Sequence, residues 1–255
     1  MILADRTFRT LLSREVLRFT RVWMQTIVPQ LLTSLLYLVV FGIALGGRIK
    51  QIEGIPYLEY ILPGIALMSL ITNSQMNSSW SVFDAKRERY IDEVLISPMS
   101  DLQIALAYSL GGMLRGVVMG AGVFVVGVPF VGIRIEHPLL LVVIGLLASF
   151  AFSSLGTMVG AISTRIEHIS FLTSIVIQPL AFLGGVFYSV GMLPDVLKVA
   201  TLFNPIFYTV DASRYATLGV SDLNPYPTLG MVFLIAALCF GGAWWAVSRG
   251  PNLRY

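Results

Sequence analysis

Six long stretches without a charged side chain constrain this chain more than any other feature. A single arginine, Arg115, interrupts the third of them, and they lie at residues 22–47, 60–83, 102–133, 138–164, 169–194 and 223–248. Each holds roughly the 20 apolar residues with which an α-helix crosses about 30 Å of hydrocarbon. The sequence therefore predicts an all-α integral membrane protein with six transmembrane helices.

The composition also indicates a lipid environment. Charged residues make up 12% of the chain, whereas a soluble domain carries roughly 25% because its surface faces water. The net charge of +3 is small, and the basic residues lie between the apolar stretches, which argues against nucleic acid as a partner. With the N-terminus inside, eleven Lys and Arg residues flank the cytoplasmic side and five flank the outside. We therefore expect both termini in the cytoplasm.

Residues 1–21 predict an amphipathic helix before the first stretch. Apolar residues recur there at helical spacing as Phe8, Leu11, Leu12, Val16 and Phe19. Basic residues form a second stripe with Arg14, Arg18 and Arg21. We favour a helix in the membrane interface, with its basic residues toward lipid phosphates, over an unstructured basic flank. Because the first stretch is longer than the about 7–15 apolar residues of a signal peptide, we expect it to be retained.

The loop at residues 84–101 combines charges of both signs with a short apolar face. Charged residues dominate positions 86–93, Pro98 ends the run, and the apolar face consists of Ile91, Val94 and Leu95. A short amphipathic helix on the cytoplasmic side is predicted. A solvated loop that follows the positive-inside rule is the alternative, but five acidic residues outnumber three basic ones here. Both signs plus an apolar ridge suit docking onto another protein.

The residues with which enzymes bind nucleotides or metals have no counterpart in the sequence. A phosphate-binding loop ends in Gly-Lys-Ser/Thr, and none of the three lysines, Lys50, Lys86 and Lys198, follows a glycine. His137 and His168 border opposite ends of the fourth stretch, so within one subunit they share neither a metal nor a serine. We expect no catalytic residue, no metal and no cofactor in this chain.

Polar and small residues inside the stretches predict close helix packing. Asn73 and Asn77 lie one turn apart and must face away from lipid. They line a polar path or form interhelical hydrogen bonds, and we favour the second. Small residues recur at every fourth position as Gly112, Gly116 and Gly120, and as Gly145, Ser149, Ser153, Thr157 and Ala161. Such stripes let helix backbones approach closely, and we favour packing within one subunit over a dimer seam.

Arg115 is the one intramembrane charge, and two arrangements stay open for it. It lies roughly 21 Å beyond Asp101 along a continuous helix. In one arrangement it is buried and paired with a cytoplasmic carboxylate or a helix C-terminus. In the other, the third span begins near Gly116 and Arg115 snorkels to the interface.

The fifth stretch is interrupted by Pro179 and then by the pair Gly184-Gly185, which predicts a kink and a turn. Residues 195–222 beyond it hold no full-length span. One short helix there has an N-cap, a first residue and a stop: Asn204, Pro205 and Gly219. We predict one or two short helices on the outer face that dip into the membrane, and an aromatic belt at the outer rim is the alternative.

Taken in order, these features resemble the membrane subunits of type-2 ABC exporters, such as the permeases for nodulation factors, drugs and polysaccharides. The matching residues are Glu88-Arg89, Glu93, Leu95 and Pro98 in the loop, PLAFLGGVFYSVGMLP at 179–194 and NPIFY at 204–208. The resemblance implies one permease domain, 1–255, in the inner membrane of a prokaryote. It also implies a coupling helix within 84–101 and re-entrant helices within 195–222.

The resemblance further implies partners and residue roles. A second permease subunit and two P-loop ATPase subunits that carry ATP and Mg would complete an exporter embedded in membrane lipid. The two permease subunits would form a homodimer, with a heterodimer as the alternative. ATPase coupling would fall to Lys86, Arg87, Glu88, Arg89, Ile91, Glu93, Leu95 and Pro98. The pathway would be lined from spans one, two and five by Gln30, Thr33, Tyr37, Asn73, Asn77, Thr173 and Gln178. The outer gate would comprise Gly184, Gly185, Phe187, Tyr188, Asn204 and Pro205.

The expected function is outward transport of an amphipathic, lipid-linked or glycan substrate. The main alternative is a stand-alone ion-coupled carrier or channel. All fourteen acidic residues lie outside the stretches or at their ends, which weighs against such a carrier, although backbone carbonyls also build Na⁺ sites. A membrane scaffold without a transported substrate is the third class.

Overall fold

The computed structural model describes residues 6–47 and 49–250. Arg48 and Arg254, both counted above for the orientation, lie outside these residues, as do positions 1–5 of the amphipathic helix and 251–255 of the permease domain. The helices are α1 (Arg6–Thr20), α2 (Trp23–Thr26), α3 (Val28–Gly46), α4 (Tyr57–Arg87), α5 (Ile91–Ile96), α6 (Asp101–Val131), α7 (Pro138–Ile162), α8 (Ile166–Phe171), α9 (Gln178–Leu183), α10 (Asp195–Leu202), α11 (Pro205–Leu218) and α12 (Pro225–Arg249).

Shorter elements connect these helices. A two-stranded antiparallel hairpin joins α3 to α4, with β1 (Gln51–Ile52) paired to β2 (Ile55–Pro56) and Ile52 opposite Ile55. A π-helical turn, Leu172–Ile177, continues α8 into α9, and a 3-10 turn, Val190–Met192, follows α9.

Five helical segments of the described residues are long and apolar enough to cross a membrane: Trp23–Gly42, Asp101–Val131, Pro138–Ile162, Ile166–Leu183 and Pro225–Arg249. They fall on the first, third, fourth, fifth and sixth predicted stretches, so the all-α membrane class is confirmed. The second stretch lies in α4, which is 31 residues long. Its polar run at residues 72–81 lowers its hydropathy, and the count of six spans stays a prediction.

α4 packs chiefly against α6 and α7 through small and hydroxyl-bearing residues. The Ser78 and Ser153 hydroxyl oxygens lie 2.7 Å apart, and Ser79 donates to the Gly156 carbonyl at 3.0 Å. A Cβ atom added at Gly112 of α6 would overlap the hydroxyl groups of Ser78 and Ser153. The small-residue stripes therefore pack helices within one chain, as favoured above.

The long helical segment that holds the fifth apolar stretch begins at Ile166, before the stretch, and ends at Leu183. Its π-helical turn comes directly before Gln178 and Pro179, where the proline lacks the amide hydrogen of a regular helix. Gly184 ends α9, and Gly185 takes a φ of 79° in the left-handed region. The helix thus ends eleven residues before 194, at the glycine pair where the sequence predicted a turn.

The helix over Pro205–Leu218 has the predicted termini. The Asn204 side chain accepts from the Ile206 amide at 3.0 Å, Pro205 is the first helical residue, and Gly219 ends the helix at a φ of 74°. Two short helices, α10 and α11, follow the fifth stretch, and their entry into the membrane stays a prediction.

α1 is confirmed as a helix over the described part of its predicted range. Its buried residues are Phe8, Leu11, Glu15 and Phe19, and the helix packs against α6. The apolar stripe therefore faces protein, and a carboxylate shares the buried side with it.

Candidate transport and coupling sites

A cleft of ≈ 350 Å³ lies between α3, α4 and the α8–α9 segment. Five of the seven predicted pathway residues line it: Gln30, Thr33, Tyr37, Thr173 and Gln178. Further hydroxyl groups, which sequence reasoning missed, come from Ser34, Ser69, Thr72, Ser170 and Ser174. Met76 and Trp80 continue the α4 stripe begun by Ser69 and Thr72, at a helical spacing that the sequence already displays.

The lining of this cleft is uncharged and combines hydroxyl and amide groups with large apolar side chains such as Met68, Met76 and Trp80. Such a lining can hydrogen-bond hydroxyl and amide groups and also pack against alkyl or ring surfaces. One cleft residue is also tied to α4, since Thr173 donates to the Gln75 side chain at 2.9 Å.

Asn73 and Asn77 do not line the cleft. The Asn73 amide donates to the Ser69 carbonyl of its own helix at 2.9 Å. The Asn77 side-chain oxygen accepts from Arg18 of α1 at 3.0 Å and from Arg115 of α6 at 3.2 Å. For Asn77 the geometry is therefore that of interhelical hydrogen bonding.

The structure contradicts the first of the two arrangements considered for Arg115, the pairing with a carboxylate or a helix C-terminus. α6 runs unbroken from Asp101 to Val131, and the start of the membrane span near Gly116, with Arg115 at the interface, stays a prediction. The side chain is half-buried and bonds the Asn77 amide oxygen, and among the described residues it is paired with no carboxylate. The carboxylate nearby, Glu15, is 1% exposed and pairs with Arg18 at 3.2 Å.

The predicted coupling loop exposes charges of both signs. Arg87 pairs with Asp84 at 3.2 Å and with Glu88 at 3.1 Å, and these side chains are between about one-third and two-thirds exposed. Arg89 has a φ of 60°, which non-glycine residues seldom adopt. Glu93 and Pro98 are exposed as well.

The apolar ridge of the loop lies inward instead of forming a docking surface. Ile91 and Val94 are buried in a cluster with Phe8 and Leu11 of α1. Leu95 is half-buried, and Ile96 is 84% exposed. The outward apolar side chain is therefore Ile96, which the spacing did not single out because Ile91 and Val94 are turned into the buried cluster.

Lys86 points away from the exposed loop. Its ammonium donates to the carbonyl oxygens of Ala161 at 2.7 Å and Ser163 at 2.6 Å, and to that of Gly160 at 3.3 Å. These carbonyls end α7 and lack helical partners of their own, so a cation there is favourable. Burial lowers the pKa of Lys86 to about 8. Lys86 thus joins the end of α4 to the end of α7.

The predicted gate residues meet at the end of α9. The Phe187 ring stacks on Phe41 with centroids 4.3 Å apart, and its carbonyl accepts from the Tyr57 hydroxyl at 3.3 Å. The Asn204 amide donates at 2.6 Å to the Leu180 carbonyl, which the last turn of α9 leaves without a helical partner. Tyr188 is half-buried beside them.

A buried ionic cluster, which sequence reasoning missed, holds this region together. Arg214 is 1% exposed, pairs with Asp222 at 3.1 Å, donates to the Gly185 carbonyl and lies 4.1 Å over the Tyr60 ring. Ser189 lies 2.6 Å from Asp222. In the sequence, Arg214 counted only as one of five outer basic residues, because its partners come from three separate segments.

Helices long and apolar enough to cross a membrane, arranged around an uncharged cleft, are typical of a multi-pass membrane transport protein. The profile of the ABC-2 type transporter family matches residues 6–218. The chain is 33% identical over 246 residues to the inner membrane transport permease YadH of Escherichia coli (strain K12), with 96% of each protein covered. It is 26% identical over 227 residues to nodulation protein J of Rhizobium meliloti (strain 1021), with 89% of this chain and 84% of that protein covered.

The chain belongs to the ABC-2 type transporter family. It is a multi-pass protein of the inner membrane and the membrane subunit of an ABC transporter, a transport subunit whose family works with an ATP-binding subunit. The resemblance stated from the coupling loop and the fifth stretch is thereby confirmed.

Proposed function

We propose that two copies of this chain form the outward path of an ATP-driven exporter for an amphipathic, lipid-linked or glycan substrate. Two separate P-loop ATPase subunits, which carry ATP and Mg, supply the energy. Six helices cross the membrane, with α4 as the second span and both termini in the cytoplasm. α10 and α11 re-enter the membrane from the outer face.

The cleft between α3, α4 and α8–α9 carries this proposal. Its hydroxyl and amide groups suit the hydroxyl groups of a glycan, and its Met76, Trp80 and Tyr37 side chains suit apolar surface. Since the cleft is open on one side, a second copy that faces it would enclose a longer path. This supports a homodimer with substrate between the two subunits.

The exposed face of residues 87–98 is where the ATPase docks. It offers Arg87, Glu88, Arg89 and Glu93 as charges around the exposed Ile96. An apolar anchor within a rim of both signs is a favourable docking surface, because the anchor supplies affinity and the charges supply orientation. Motion at this face would reach α7 through Lys86 and α1 through Ile91 and Val94.

Charge reversal tests the docking face. The full chain is co-purified with its ATPase in lipid nanodiscs, and complex formation and ATPase rate are measured for Glu88→Lys and Ile96→Asp. The matched control is Asp195→Lys, an exposed reversal on α10. We expect either loop variant to weaken assembly at least about tenfold, since buried interface anchors dominate affinity. Unchanged assembly and ATPase rate in both variants would refute the docking face.

Reconstituted transport tests the proposal as a whole. Liposomes that contain the chain and its ATPase are loaded with ATP or left without it, and substrate efflux is compared. Efflux driven by an ion gradient in liposomes that contain this chain alone would instead support a stand-alone carrier.

A further inference from the structure

Two arginines of α1 and α6 converge on one amide oxygen. Arg18 and Arg115 donate to the Asn77 side-chain oxygen at 3.0 Å and 3.2 Å. Their donor nitrogens are therefore at most about 6 Å apart, by the geometry of two hydrogen bonds to one atom. Two guanidinium groups at this distance repel each other, so an arrangement of this kind calls for negative charge nearby.

The described residues supply only one compensating charge at this point. Glu15 pairs with Arg18 at 3.2 Å and accepts from the Ser81 hydroxyl at 2.6 Å, both through Oε2, so its charge is engaged by Arg18. Arg14, the next cation on α1, lies over the Tyr90 ring at 3.9 Å. Within residues 6–47 and 49–250 no carboxylate pairs with Arg115, whose hydrogen-bond partner is Asn77.

Hydrogen-bond donors are also left over. Asn77 is 1% exposed, yet its side-chain nitrogen has no partner among the described residues, and the same holds for the Nε atoms of Arg18 and Arg115. A buried amide donor is costly when unpaired. Surplus donors next to surplus positive charge match an acceptor-rich anion.

The depth of this cluster matches a lipid head group. Arg115 lies 16 residues before Val131, the last residue of α6, which is roughly 24 Å along the helix. When Val131 is placed at the outer boundary of a hydrocarbon core about 30 Å thick, Arg115 lies near the inner boundary, where lipid-borne phosphates lie. Arg18, whose side chain is 34% exposed, also lines an open groove of ≈ 720 Å³ beside Arg14 and Arg21.

We propose that Arg18, Asn77 and Arg115 bind the phosphate-type anionic head group of an amphipathic substrate at the cytoplasmic side of the bundle. The planar guanidinium groups suit phosphate oxygens because each presents paired donors. The inference rests on the proposed export function and specifies its substrate class as an anionic amphiphile. The head group would enter along the basic groove of α1 and leave its lipid portion in the bilayer.

Binding by the full chain in phosphatidylcholine nanodiscs tests the site, without the ATPase. Isothermal titration compares hexadecyl phosphate, inorganic pyrophosphate and hexadecanol. We expect hexadecyl phosphate to bind at least about tenfold more tightly than either of the others. Pyrophosphate binding as tight as that of hexadecyl phosphate would point to a free anion and overturn the lipid-borne assignment. Equal binding of hexadecanol would overturn the anionic one.

Variants identify the residues. Arg115→Gln and Arg18→Gln should each weaken binding of hexadecyl phosphate at least about tenfold, and Arg115→Lys should recover part of the loss because it keeps the charge. The control is Arg134→Gln, an exposed arginine beyond α6. Folding of each variant is checked by monodispersity. Should Arg115→Gln fail that check, Arg115→Lys and Arg18→Gln decide.

Unchanged affinity in the folded arginine variants would overturn the site. Transport provides the separate readout for the export function. Specific binding by a complex that transports nothing in the presence of ATP would sink the proposed function and leave the site standing.

Discussion

Replacing Arg214 with glutamine removes the cation of the outer cluster and leaves Asp222 without its partner. The ion pair is 3.1 Å long, and its side chains are 1% and 10% exposed. Breaking a buried pair by removing one partner costs about 3–5 kcal/mol, because the other charge stays buried and unpaired. The Gly185 carbonyl and the Tyr60 ring lose their contacts with the guanidinium as well.

This cost should be visible as a lower melting temperature. For a chain of this size, each kcal/mol shifts the thermal midpoint by roughly 2–4 °C, so Arg214→Gln should lower it by roughly 6–20 °C. The assay is size-exclusion chromatography of the detergent-solubilised protein after heating. Lys198→Gln is the control, because the Lys198–Asp195 pair is exposed and exposed pairs contribute little.

The double variant Arg214→Met with Asp222→Leu separates an ion pair from simple packing. Replacing both partners with apolar residues removes the unpaired charge, so the double variant should be more stable than Arg214→Gln. A midpoint for Arg214→Gln within about 2 °C of wild type would refute the reasoning. So would a double variant that melts below Arg214→Gln, with the effects of the two substitutions on the midpoint adding up.

Three further results are expected. Gly112→Ala should destabilise the bundle by about 1–3 kcal/mol, because its Cβ would overlap the Ser78 and Ser153 hydroxyls, whereas Gly230→Ala, with open space around it, should not; equal midpoints would contradict this. Burial lowers the pKa of Lys86 from its ordinary 10.5 to about 8. Between pH 8 and pH 10.5 the unfolded chain therefore binds more protons at Lys86 than the folded chain does. The contribution of Lys86 to stability rises with pH over this range. The midpoint difference between wild type and Lys86→Gln should follow that rise and stay flat below pH 7. Ser100→Ala removes the capping box that begins α6 and should cost about 1 kcal/mol, measured by the same thermal assay; Ser248→Ala, a half-buried serine in the last turn of α12, is the control.

The helices and their ends were predictable because they depend on local sequence. The apolar stretches located five of the helices that can cross a membrane. Asn204, Pro205 and Gly219 marked the ends of α11 through their own hydrogen-bonding and backbone preferences. Contacts between stripes of small residues were predictable too, since only small side chains permit that approach.

The side-chain partners were not predictable, because they come from distant segments. Nothing local indicates that Lys86 reaches the end of α7, about 75 residues further along the chain, or that Glu15 is buried against Ser81. An exposed loop charge and a helix-capping charge look alike in sequence. Five pathway residues were predicted correctly to line the cleft, because the helix on which each one lies was predicted correctly. Asn77 was predicted to line the same path, but its side chain binds two arginines of other helices instead.

The polar side chains in the middle of α4 affect how the protein is inserted into the membrane. A helix that carries Ser78, Ser79 and Asn77 is poorly suited to lipid until these groups find partners. Their partners lie on α1, which is synthesised earlier, and on α6 and α7, which are synthesised later. We therefore expect nascent α4 to stay beside the insertion machinery until α7 has emerged, and the three helices to enter the bilayer as one unit.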